Sequence, residues 1–531
     1  MATKTPAELI SALQAGYTFS GSSIALGAAM IDGEIHPEAQ VSLPLAMMNR
    51  HGLVAGATGT GKTVTLHMIA EQLSTAGVPV FMADIKGDLT GLTTAAEGSE
   101  KLTARTQALG QQWESKAFPV EFLALGGNGN GVPVRATITS FGPILLARVL
   151  DLNETQESSL QLVFHYADTK GLELYDLKDL RAVIQFLTSD EGKADLKDLG
   201  GLSKATAGVI LRNLITLDAQ GMGEFFGMPE FDTAELLRTA PDGRGVITCL
   251  ELPSIQDKPL LFSTFLMWLL ADLFRDLPEI GDADKPKLVF FFDEAHLLFN
   301  GASKAFLNAI TQTVRLIRSK GVGIFFVTQT PKDVPADVLA QLANRIQHAL
   351  RAFTPGDAKA LKATVSTFPI NDYDLEEVLT SAGIGEAVVT VMNENGAPTP
   401  VALTRLRAPG SVMGPSSDAT IKAVIAASAL LPTYGTAVDP VSAYEKLQAP
   451  TATAAPTPST GPAVGTPLPP PPPPVALPAP ANDGGIASDV IGALGGALGG
   501  GLKSMVRSMG SSLGRNLMRD IFGTAPRKRR R

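Results

Sequence analysis

Unbroken apolar runs of a strand's length alternate along this chain with longer stretches in which apolar residues recur every three or four positions. The runs at 51–56, 78–85, 245–252, 287–292 and 321–328 are nearly free of polar side chains. Strands covered on both faces, as in parallel sheets, read this way. The periodic stretches predict helices at 64–73, 258–277, 303–320, 334–343, 354–364 and 372–381. Further strands are expected at 120–125 and 133–138, around a Gly/Asn loop at 126–131, and at 345–350. The runs at 386–392 and 399–405 pair as a terminal hairpin around 393–396. Strand and helix in alternation imply an α/β fold with a mostly parallel, doubly wound sheet.

Interruptions of this alternation divide the chain. Residues 1–48 hold a short helix at 7–15 and a strand pair near 23–34, too little for a full domain, and read as a small N-terminal β cap. The core occupies 49–140 and resumes over 241–407. Between them, over 141–240, the pattern is helical at 144–150, 157–166, 177–187 and 206–218, which predicts an all-α insertion. Residues 408–448 form a helical extension, with short helices at 417–431 and 439–446. Residues 449–485 are a Pro-rich linker, unbroken proline from Pro469 to Pro474, expected to be disordered as packed structure and stiff as a spacer. Residues 486–531 are Gly/Ala-rich, then an amphipathic basic helix at 502–522, ending in Arg527-Lys528-Arg529-Arg530-Arg531. That tail suits nucleic-acid anchoring, a membrane surface or docking on another subunit. Attraction of its terminal basic residues to phosphate is the favoured reading.

Composition narrows the partners. The 531 residues suffice for two or three domains, and 45% hydrophobic against 18% charged residues allows most of them a core. A net charge of −8 argues against a generally basic nucleic-acid coat but leaves room for a local basic channel. The single cysteine, Cys249, excludes an internal disulfide and lies in an apolar run, as an inert buried thiol would. The first ten residues lack signal-peptide order, and no apolar run reaches membrane-spanning length. A cytoplasmic protein with no transmembrane segment is expected.

The chemistry centres on Gly56-Ala57-Thr58-Gly59-Thr60-Gly61-Lys62-Thr63, which matches G-x-x-x-x-G-K-[ST] at every fixed position. It falls between a predicted strand and helix, where backbone N–H groups and the positive helix end wrap a phosphate. Lys62 would reach the β- and γ-phosphates of ATP, and Thr63 would hold Mg²⁺. Asp84 and Asp88 follow the next strand. They either sit near the nucleotide or make an ordinary strand-to-loop turn. The run 288–292 ends in Asp293-Glu294, two acids whose desolvation is costly unless they emerge into a polar site. Asp293 would hold Mg²⁺, and Glu294 would polarise the attacking water; the competing reading is an acid pair capping the next helix. His296 reads as a local hydrogen-bond partner. Gln329 ends the following strand and would sense the γ-phosphate if that strand lay between the phosphate loop and the acid pair. Among Arg315, Arg318, Arg345 and Arg351, Arg318 and then Arg345 are the candidates to act on a neighbouring subunit's nucleotide. A plain surface role competes for each.

The combined order resembles the HerA–FtsK branch of RecA-like motor ATPases, and most closely a HerA-like helicase subfamily. The carrying residues are Gly56 to Thr63, Asp84-x-Lys86-Gly87-Asp88, Asp293-Glu294-Ala295-His296, 315–323, Val327-Thr328-Gln329-Thr330-Pro331 and Asn344-Arg345. The resemblance spans about residues 20–406. It implies a RecA-like P-loop core and ATP-driven hexameric rings that translocate on double-stranded DNA, some with a resection nuclease as partner. The N-terminal β region is shorter than the HerA barrel, and the Pro-rich linker and basic helix fall outside the shared core. Two readings compete with a DNA motor: an oligomeric ATPase acting on protein or at a membrane surface, and a nucleotide-gated scaffold. The second acid, Glu294, argues against the scaffold.

Overall fold

The computed structural model describes residues 5–448 apart from 197–199, 256–257, 282 and 301–303. The expected Pro-rich linker and basic C-terminal helix lie outside the described residues. One twelve-stranded sheet runs through the molecule. Its strands are β1 (Ser23–Ile31), β2 (Glu34–Pro44), β3 (Gly52–Ala55), β4 (Val80–Asp84), β5 (Val120–Leu125), β6 (Val132–Val134), β7 (Ile247–Glu251), β8 (Leu288–Phe292), β9 (Val322–Thr328), β10 (Asn344–His348), β11 (Glu386–Thr390) and β12 (Ala402–Leu406). Their spatial order is β2-β1-β12-β11-β10-β3-β9-β8-β4-β7-β5-β6. Neighbours from β10 to β6 are all parallel. Neighbours from β2 to β10 are all antiparallel. The N-terminal strand pair is thus joined to the sheet, with Gly27 opposite Leu406.

The central strands read as unbroken apolar runs because both faces are covered. In β8, Leu288, Phe290 and Phe292 enter one core, and Val289 and Phe291 enter the other. One face is covered by the helix Lys62–Thr75, through Leu66, Ile69 and Leu73. The other carries the helix Pro259–Asp276, the helix Lys304–Ile317 and the helical segments between β6 and β7. Those segments share the sheet's core: Phe225 meets Phe265 and Trp268 edge-on. A smaller core, built on Leu361, Leu375 and Leu379, sits under the two helices between β10 and β11.

Two local expectations change. The strand expected over 133–138 ends at Val134, because Thr137 caps the helix Ile138–Phe141 through its side chain. The helix expected over 334–343 is the short Ala336–Leu339, after which the chain turns into β10.

After β12 the chain crosses the helix Lys62–Thr75. The buried Glu71 carboxylate accepts the N–H groups of Gly410 (2.8 Å) and Ser411 (2.9 Å). It then reaches the helical layer, where Arg135 donates to the Tyr434 carbonyl (3.1 Å) and Ser442 to Asp179.

Candidate nucleotide-binding and hydrolysis site

Parallel strands bring their C-terminal ends to one crest, and in the order β3-β9-β8-β4 that crest collects the predicted chemistry. The loop after β3 is held from both sides. Gly56 N–H donates to the Thr328 carbonyl at the end of β9 (3.2 Å), and Ala57 N–H to Ala349 beyond β10 (2.8 Å). The Thr60 carbonyl accepts from Gly385 N–H (3.1 Å) and lies 3.1 Å from His348 Nδ1, while His348 Nε2 lies 2.9 Å from the Thr65 hydroxyl. A Cβ at Gly56 would stand 2.4 Å from that of His348, so the close approach requires glycine. Gly59 has a φ of +80° with open space around it, on the exposed rim where a phosphate would approach. The helix Lys62–Thr75 begins at the loop's end, and its first-turn N–H groups have no partners within the helix. These first-turn amides and the loop's open rim offer a cradle for an anion.

The ionisable groups around the cradle are buried and coupled. Lys62 is 8% exposed and donates to the carbonyls of Gly56 (2.7 Å) and Ala57 (3.2 Å). Burial lowers its affinity for a proton, against the pull of Glu294 and Asp293. Thr63 donates toward Asp88 at 3.4 Å. Asp293 Oδ1 accepts its neighbour's N–H, from Glu294 at 2.9 Å. Burial raises the Asp293 carboxyl to about 6, although Lys86 pulls the other way. The Glu294 carboxylate pairs with Lys86 through Oε1 and has His296 Nδ1 3.1 Å from Oε2. Burial would raise the Glu294 carboxyl; the Lys86 hydrogen bond and charge outweigh it and hold it below the usual range. Its backbone is left-handed, with φ +46°.

The acid pair is not a helix cap. The next helix, His296–Phe299, has Ala295 at its N-cap and no side-chain cap bond. Asp293 Oδ2 and Asp88 Oδ1 are buried and have no hydrogen-bond partner among the described residues. Asp88 lies against the Thr63 hydroxyl and its charge is felt at Asp293; two carboxylates with orphaned oxygens at this crest suit an oxygen-loving divalent cation, so the residues fit Mg²⁺ with ATP.

The remaining predicted residues are dispersed. Asp84 is fully buried, and its carboxylate accepts the N–H groups of Gly87 (2.7 Å), Leu89 (2.9 Å) and Lys86 (3.2 Å). Of the two acids at this strand end, Asp84 shapes the turn and Asp88 presents an oxygen to Thr63. Gln329 immediately follows β9, which does lie between β3 and β8, and its side chain is exposed. Arg318 and Arg345 stand at the opposite edge, where parallel strands begin. Arg318 is exposed; Arg345 is half-buried and donates to the Thr367 carbonyl at 3.4 Å. Arg351, beyond the end of β10, is at the crest. Cys249 is buried, and burial raises its thiol well above the usual range. His348 escaped the sequence reading: a lone histidine at a strand end carries no motif, and its hold on the loop comes from β10 lying beside β3.

A glycine loop between strand and helix, with carboxylates emerging from neighbouring parallel strands, defines a P-loop ATPase of RecA-like α/β architecture. More narrowly, the chain belongs to the HerA-like helicase C-terminal family, whose model matches residues 30–531. No curated protein sequence matches it. Among solved structures it is similar to the bacterial conjugative coupling protein TrwB, with a TM-score of 0.48 and 15% identity over 77% of this chain and 95% of that one. A TrwB complex with ADP and Mg²⁺ gives a TM-score of 0.46 and 15% identity over 75% and 99%. VirB4 of Thermoanaerobacter pseudethanolicus gives 0.44 and 14% over 76% and 99%. Among the described residues no helix is long and apolar enough to cross a membrane.

Proposed function

We propose that this protein is an ATP-driven motor that works as a ring, a hexamer, and translocates on double-stranded DNA in the cytoplasm. The observation that carries the hydrolytic part is the acid pair beyond β8, whose Asp293 Oδ2 is buried and unpartnered. In this reading the cradle and Lys62 bind the ATP phosphates. Thr63, Asp293 and Asp88 hold Mg²⁺, which when bound neutralises charge on the phosphates. Glu294 accepts a proton from the attacking water, and Gln329 contacts the γ-phosphate. Asp84 serves by shaping the turn that carries Asp88. Arg318, or failing it Arg345, completes a neighbour's site, since neither is at the crest of its own subunit. Kinship with HerA-like helicases supports the DNA substrate, the ring and a nuclease partner. The units 1–48, 49–140, 141–240, 241–407 and 408–448 are proposed as the working divisions of the motor.

The test is steady-state ATP hydrolysis with and without duplex DNA at about 50 mM salt, a concentration low enough to favour phosphate contacts. DNA stimulates turnover if the reading is right. The net charge of −8 favours the alternative, an oligomeric ATPase acting on protein or at a membrane surface. Hydrolysis indifferent to DNA selects that alternative.

A further inference from the structure

The turn between β4 and the segment Leu89–Thr93 carries a lysine that the ATPase scheme leaves unused. Lys86 is held in place from below, because Asp84 accepts its N–H and that of Gly87. Its ammonium reaches across the crest to Glu294 Oε1. The two side chains differ in exposure: 45% for Lys86, 6% for Glu294. The lysine is therefore the partner free to move. Glu294 is fixed by a left-handed backbone at φ +46° and by burial. Lys62, the other lysine at the site, is turned onto its own loop's carbonyls. An ammonium paired with one carboxylate oxygen occupies that oxygen and lowers the basicity of the whole group, so the pair is a poorer base for water. A terminal phosphate is the stronger competitor for that ammonium, carrying more charge and three acceptor oxygens.

We propose that Lys86 senses the triphosphate: it holds Glu294 aside through their ion pair and passes to the terminal phosphate of a bound nucleoside triphosphate, freeing Glu294 for water. This rests on the reading of Glu294 as the base. A diphosphate does not trigger the exchange. The same lysine then guards against unproductive hydrolysis and contributes a cation to the phosphate being cleaved.

The test is an affinity cycle on the full chain, using ADP and a non-hydrolysable ATP analogue, each with Mg²⁺. Four proteins are compared: wild type, Lys86→Met, Glu294→Gln and the double variant. Removing the Glu294 charge tightens the analogue in any background by relieving repulsion. With Lys86 present the gain is larger by about threefold to tenfold, because the ammonium is also released. ADP affinity stays within about twofold across the four, which reports that the turn still folds. Lys86→Arg, which keeps the cation, restores part of the preference for the triphosphate. Equal gains with and without Lys86, or an equal gain for ADP, overturn the proposal. Should Lys86→Met fail to bind ADP, the cycle is read with Lys86→Gln under the same criteria. Failure of the underlying reading looks different: Glu294→Gln would then hydrolyse ATP at the wild-type rate, whatever the affinities.

Discussion

Glu294 concentrates the site's demands in one residue. Its side chain meets Lys86 and His296, and its backbone adopts φ +46°, a conformation that costs a non-glycine residue about 1 kcal/mol or more. Strain at this position should be separable from chemistry. Glu294→Gly and Glu294→Ala both lose the carboxylate, so both lose hydrolysis, by about 10²-fold or more. Glycine accepts the left-handed backbone and alanine does not, so the glycine variant is more stable by about 1 kcal/mol, read from urea unfolding. Equal stability would mean the backbone relaxes without the glutamate. At this scale the sequence discloses positions that a motif spacing encodes: Lys62, Thr63, Asp293 and Glu294 stand where the loop and the apolar run put them. It does not distinguish Asp84 from Asp88, since both lie at the end of the same strand. Three backbone N–H groups converging on Asp84 settle that difference, and a turn's hydrogen bonds are invisible in residue types.

The helix Lys62–Thr75 joins the phosphate cradle to the chain's C-terminal extension. Its Glu71 accepts two N–H groups and the Ser411 hydroxyl (2.5 Å) from residues more than three hundred positions away. Burial raises the Glu71 carboxyl, while these bonds to Ser411 and Gly410 oppose the rise. Glu71→Ala leaves buried donors unpaired, so the expected loss is about 2–3 kcal/mol in urea unfolding. Glu71→Gln keeps an acceptor and loses less. Strands and helices were largely legible here, because burial on one or two faces imposes a period on the sequence. The exceptions, β6 and Ala336–Leu339, are places where a cap or a following strand shortened an element that the periodicity would have extended.

The molecule as a whole is tied by elements remote in sequence. Tyr434 and Ala443 are buried in the helical layer's core. A chain cut after Arg407 therefore loses core contacts and melts earlier, whereas one ending at Gln448 keeps every described contact and its ATPase activity. Thermal unfolding of the two truncations checks this. Stability should also vary with pH. Burial pushes His51, His67 and His348 down to about 4. Their stabilisation is whole above the unfolded value of about 6.5 and is lost as pH falls through about 4. Burial pushes Asp84 up to about 7 and Glu251 to about 8. Their contribution is whole below the unfolded values of about 4 and is lost progressively as pH rises to those folded values. Urea midpoints should be lower at about pH 8.5 than at about pH 6.5, an interval in which the carboxyls and not the histidines lose their contribution.

The sequence by itself determined the class of fold, the phosphate cradle and the acid pair, because each depends on local spacing: apolar runs for buried strands, glycines for a loop, acids at a strand's end. Tertiary structure alone decided how those pieces meet. It put β9 between β3 and β8, brought His348 against the loop, set Lys86 on Glu294, and folded residues 408–448 back onto the body. These are contacts across hundreds of residues. Strand order and side-chain pairing at such range follow from packing the whole sheet, which no local pattern specifies.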